Sequence, residues 1–86
     1  MRLDKFLQVS RLVKRRTMAN RFCDAGRVTH NGHRAKPAAD VRAGDVLSVN
    51  FGMRRIAVRV LRVPEGRPST DPIVEVLEDE RVQESW

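Results

Sequence analysis

Leu3, Phe6, Leu7 and Val13 fall on one helical face, with Ser10 in the same row and Leu12 widening it. Arg2, Lys5, Arg11, Lys14 and Arg15 lie mostly off that stripe, and Val9 belongs to neither set. Asp4 stands in the first turn, where a carboxylate favours the positive end of the helix dipole. The pattern breaks near Arg15-Arg16. Thr17 is then the expected N-cap of a second helix, although Asn20 three residues on leaves the capping box incomplete. Met18, Ala19, Phe22 and Cys23 form its apolar stripe, and Gly26 supplies the left-handed stop. The two stripes are expected to pack together.

Beyond Gly26 the period changes to that of strands. Val28-Thr29-His30 reads as a short strand, Asn31-Gly32 as a hairpin turn, and His33 to Ala35 as the return. Lys36-Pro37 leaves regular pairing because proline lacks the donor. Ala38 to Asp45 is a connection whose end, Arg42 to Asp45, has turn chemistry. Val46 to Phe51 is a strand, Gly52 to Arg55 a turn, and Ile56 to Leu61 the antiparallel partner strand. Pro64 to Pro72 reads as a loop. Ile73 to Leu77 returns as a last strand, bringing Glu75 near Arg59 or Arg62, and Glu78 to Trp86 reads as an acidic tail. The fold class is α+β: two N-terminal helices on a small, mostly antiparallel sheet.

A chain of 86 residues allows one domain and a modest core. A binding surface is therefore expected before a deep catalytic pocket. No apolar run approaches the ~20 residues of a membrane span. The start MRLDKFL lacks the uncharged core of a signal peptide, and Cys23 has no second cysteine to pair with. These features predict a cytoplasmic protein. The net charge of +6 predicts a polyanionic partner. Its distribution sharpens that expectation: residues 1–36 carry +8, residues 37–70 carry +3 and residues 71–86 carry −5. The positive field is concentrated in the first part of the chain.

Arg15 and Arg16 immediately precede the second helix, where unpaired backbone N–H groups and the dipole favour an anion. Guanidinium forks suit phosphate oxygens. A plain solvated basic face is the alternative. Cys23, His30 and His33 do not have zinc spacing, and no third group orients a Cys23–His30 pair as a nucleophile. Asp40 and Asp45 flank a turn and are expected to stabilise it. No glycine-rich phosphate loop is present. The expectation is a binding protein without cofactor, metal or small-molecule substrate. Tyrosine is absent and all three phenylalanines are committed to the helix seam or a strand, which disfavours recognition by stacked aromatics. A helix-turn-helix DNA reader needs polar base-reading residues at the start of its second helix. Here only Asn20 and Arg21 among Met18 to Arg21 qualify.

The run RLDKFLQVSRLVKRRTMANRFCDAGRVTHNG, followed by KP and VRAGDVLSV, resembles the RNA-binding domain named after small-subunit ribosomal protein S-four. The resemblance covers Arg2 to about Val63. Its motifs are ordered: RLDKFL, then RRT before the second helix, then G-R-V-x-x-N-G, then GD before a strand. It implies an RNA-binding domain over residues 1–63. Residues 64–86 would form a loop, a final strand and an acidic tail, packed on or trailing the same domain. A free-standing copy of this length is similar to the RqcP family of bacterial ribosome-associated quality control. The related small heat-shock protein has a longer basic C-terminal extension, whereas this chain ends in acid. The resemblance implies binding to large ribosomal subunits obstructed by peptidyl-tRNA, contact with rRNA and tRNA together, and support of RqcH, which adds alanine tails to stalled chains. By matched position it implies Arg2 and Arg16 as principal RNA contacts. Lys5, Arg11, Lys14 and Arg15 would extend the surface, with Thr17 at the helix start and Asn31 and Lys36 contributing from the hairpin. A monomer is expected, because the basic face must stay free. The alternatives are a heat-shock-type protein rescuing large subunits without tailing, an RNA-binding accessory of an RNA-modifying enzyme, and a DNA-binding regulator.

Overall fold

The computed structural model describes residues 1–64 and 72–81. In chain order the elements are α1 (Leu3–Val9), α2 (Arg16–Asp24), β1 (Val28–His30), β2 (His33–Arg34), β3 (Val46–Asn50), β4 (Arg54–Val60) and β5 (Val74–Arg81). The five strands form one antiparallel sheet in the order β2-β1-β3-β4-β5. The expected fold class is the one observed.

The core joins the helical stripes to one face of the sheet. Leu3, Phe6 and Leu7 of α1 and Ala19 and Cys23 of α2 are buried with Val28, Leu47, Val49, Val58 and Val60. Along β3 and β4 alternate residues are buried, as the two-residue strand period requires for a sheet with one covered face. Phe22 and Phe51 meet edge to face, with ring centroids 5.7 Å apart. Asn31 and Gly32 adopt φ of 51° and 84°, the positive values that a tight hairpin turn demands. Gly26, at φ 75°, ends α2 as expected.

Several boundaries differ from the sequence pattern. Helix α1 ends at Val9, not beyond Val13. Ser10 turns its hydroxyl back onto the Leu7 carbonyl, and Arg11 takes φ 64°, which no continuing helix permits. Val13 still reaches the core because its N–H donates to the Leu7 carbonyl. The N-cap of α2 is Arg15, with no side-chain cap hydrogen bond, and Thr17 lies exposed inside the first turn. Met18 is 44% exposed, so it leaves the apolar stripe to Ala19 and Cys23. Arg54 and Arg55 already belong to β4, and Phe51 and Leu61 fall just outside their strands. The last strand is longer than expected: Glu78 to Arg81 pair with β4 instead of starting a tail. The ion pairs Arg54–Asp79 and Arg59–Glu75 (3.7 Å) accompany that pairing. Leu77 is the extra residue of a bulge, since Ala57 faces Glu78 while Val58 faces Val76. The expectations for 65–71 and 82–86 lie outside the described residues.

Candidate nucleic-acid interface

The cations of the helix pair are organised by one buried acid. Asp4 is only 2% exposed. Its carboxylate accepts from Arg2 Nε and Nη2 at 3.3 and 3.2 Å, from the Lys5 N–H at 2.7 Å and from Asn20 Nδ2 at 3.5 Å. Arg16 Nε stands 3.5 Å from the same carboxylate. Burial pushes this carboxyl up, but the donors from Arg2, Lys5 and Asn20 and the Arg16 charge together hold it below its ordinary value. The two guanidiniums stay about half exposed, at 51% and 46%, each steadied on one side and open on the other. Residues fourteen apart in sequence thus form one forked cationic pair.

The backbone fixes where this pair points. Leu3 and Asp4, the first residues of α1, donate their N–H groups to the carbonyls of Ala39 and Pro37 at 2.8 and 3.1 Å. Arg2 bridges Asp40, and Val41 N–H donates to the Met1 carbonyl. Lys5 is exposed on α1, and Arg11, Lys14 and Arg15 are exposed along the connection between the helices. Because no side chain caps α2, its first-turn N–H groups remain available beside Arg16 and Thr17.

The hairpin candidates are placed differently. Asn31 is committed to structure: its amide donates to Asp45 Oδ1 at 3.3 Å and accepts the Val46 N–H at 2.9 Å. Asp45 also accepts from the Arg42 N–H at 2.9 Å and lies 2.7 Å from His30 Nε2. Burial raises this carboxyl, but contacts with His30, Arg42 and Asn31 outweigh that and lower it. Asp45 therefore holds the Arg42–Asp45 turn, as expected, and in addition ties the Asn31-Gly32 hairpin turn to it, which its position did not predict. Asp40 instead pairs with the N-terminal ammonium at 3.0 Å and with Arg42 at 3.2 Å. Lys36 is exposed just past β2. The Cys23 thiol is buried, and burial, with the charges of Asp4 and Asp24, pushes its pKa up to about 11, which makes it a poor nucleophile.

Sequence reasoning missed Asp4 and Asn20 as parts of the surface. An acid two residues from Arg2, one of only two in a segment of +8, was the available signal for Asp4.

Two helices packed on an antiparallel sheet, with arginines gathered at the helix pair, define the class: this is an S4 domain, and residues 1–47 match that family. Over 60 residues the chain is 55% identical to the RQC P-site tRNA stabilizing factor of Bacillus subtilis, covering 70% of each chain. Over an 87-position alignment it is 42% identical to the factor of the same name from Halalkalibacterium halodurans, covering 99% of each. Its fold is similar to that of Vibrio cholerae Heat Shock Protein 15, solved as a trimer, with TM-score 0.79 and 26% identity over 88% of this chain and 80% of that one. The chain belongs to the family of RQC P-site tRNA stabilizing factors, the RqcP family its motifs resemble.

Proposed function

We propose that the protein is an RNA-binding factor of ribosome-associated quality control. It docks on a large ribosomal subunit that still carries peptidyl-tRNA, touches rRNA and tRNA together, and steadies the tRNA in the P site. The observation that carries this reading is the Asp4 clamp, which presents Arg2 and Arg16 as one rigid fork at the most basic end of the chain. Preorganised guanidiniums lose little freedom when they meet phosphates. Lys5, Arg11, Lys14, Arg15 and the open start of α2 at Thr17 extend the footprint, and Lys36 flanks it. The names of the relatives supply the P site and the quality-control context.

The domain breaks no bond in this scheme. Held between rRNA and tRNA in the cytoplasm, a monomer gives RqcH time to deliver the next alanyl-tRNA for tailing. The RNA-binding unit is residues 1–63, with β5 completing its sheet.

The test is gradient cosedimentation of the tagged protein from cells, wild type beside Arg2→Ala/Arg16→Ala, probing peptidyl-tRNA in each fraction. Wild type is expected with large subunits and peptidyl-tRNA, and the variant at the top of the gradient. A folded variant that remains on subunits and supports tailing overturns the assignment of the site. The similarity to Heat Shock Protein 15 favours a second reading, rescue of large subunits without tailing. Deleting RqcH separates the two, because only the first loses its effect on the stalled chain.

A further inference from the structure

A groove of about 520 Å³ opens between the β1–β2 hairpin and the loop that follows it. It is lined by three alanines, Ala35, Ala38 and Ala39, together with His30, Asn31, His33, Arg34 and Lys36. This volume lies within the ~300–1,000 Å³ typical of small-ligand sites. The alanines are small and apolar, so their side chains leave room for a planar ring beside Ala38, which is exposed, and Ala39. His33 is exposed beside it, and Lys36 is exposed with no ion pair to an acid among the described residues. Arg34 is held in place by its bond to the Asp24 carbonyl at 2.5 Å.

Ring supply narrows the role further. Among the described residues Phe6 is fully buried, and Phe22 and Phe51 are spent on each other. The imidazole of His33 is therefore the freely exposed aromatic ring on this side of the molecule. The groove is also rigid. Asp45 anchors His30 and Asn31, which also line the groove, and the carbonyls of Pro37 and Ala39 hold the start of α1. That loop is a shared wall, with the groove's alanines on it and the Arg2 fork seated against it.

We infer that this groove is a nucleotide subsite: it takes one unpaired nucleotide of the bound RNA, the base lying beside the groove's alanines against His33 and the phosphate meeting Lys36. This rests on the RNA-binding reading of the Arg2–Arg16 fork and adds to it a preference for RNA with a flipped-out base. Histidine stacks on unpaired bases, and stacking tolerates any base, so the preference is for unpairedness rather than sequence.

The experiment uses the full chain and two synthetic RNA duplexes, identical except that one has a single-nucleotide bulge. Wild type is expected to bind the bulged duplex about tenfold more tightly, the scale of one base stacked on an aromatic ring. His33→Ala is expected to abolish that preference while binding the plain duplex as wild type does. Arg2→Ala/Arg16→Ala is expected to weaken binding to both duplexes. Equal binding of the two duplexes by wild type, or a preference that survives His33→Ala, overturns the subsite and leaves the fork standing. Unchanged plain-duplex binding by the arginine variant overturns the fork instead. Amide shifts in Asn31 to Ala39 on adding the bulged duplex, absent with the plain one, confirm the location; shifts that avoid this segment overturn it.

Discussion

Asp4 draws two arginines, an asparagine and a backbone N–H onto one buried carboxylate, so the charge proposed to meet RNA is shaped by a charge of opposite sign. Asp4→Asn keeps the shape and removes the charge. Because the arginines are half exposed, water screens much of the loss, and a cost of about 1–2 kcal/mol is expected in urea denaturation. RNA affinity should fall with it, since both forks lose their rest. The pH response has a definite sign. Asp4 and Asp45 have folded pKa values below 3.8, so the unfolded chain takes up protons first on acidification. Their stabilisation is complete above the unfolded value and drains away as pH falls through the folded ones. Acid denaturation curves should therefore be shallower for Asp4→Asn than for wild type. At this scale the arginines were legible in the sequence and their organiser was not. Read locally, Asp4 serves the dipole of α1, and its bonds to Arg16 and Asn20 exist only once α2 has packed.

The start of α2 shows what a helix gives up to carry cations. Arg15 occupies the N-cap position with extended φ and ψ of −127° and 139°, yet it supplies no capping oxygen. Thr17→Ala is accordingly expected to change stability by no more than about 0.5 kcal/mol. Arg15→Ser introduces the missing acceptor and is expected to gain about 1 kcal/mol in chemical denaturation. The same change should lower the slope of log K against log salt by about 1, because one phosphate contact is lost. A variant that is more stable and binds less well would show stability and charge competing at one residue. Element existence was legible here because apolar spacing and Gly26 are local signals. Element ends were less so. The end of α1 depends on Arg11 entering the left-handed region, and the length of β5 depends on arginines of β4 receiving Glu75 and Asp79. An acidic run with no strand neighbour in view reads as a tail.

Across the whole molecule, 46 Å in its longest dimension, the charges are sorted. On β4, Arg54 and Arg59 are answered by Asp79 and Glu75 on β5, which leaves the helix pair as the dominant positive source. Arg59→Ala should shift RNA affinity by no more than about twofold in a salt-matched titration, since a paired surface arginine adds little field at a distance. The composition pointed to a polyanionic partner, and the split of +8 against −5 showed in the sequence which end of the chain carries the positive charge. The groove beside Lys36 could not be read, because it forms only when the loop of Ala38 and Ala39 folds back beside the hairpin. The first N–H groups of α1 are held by Ala39 and Pro37, and the Met1 carbonyl by Val41, so the beginning of the chain is finished by its middle. A peptide of residues 1–26 would contain both helices and every arginine of the fork, yet lack the segment that seats them. The segment needed to seat the fork is consequently longer than a helical hairpin and reaches at least Val41, a length that the family match over residues 1–47 encloses. A ribosome making this chain must release its fortieth residue before its second can take up its post.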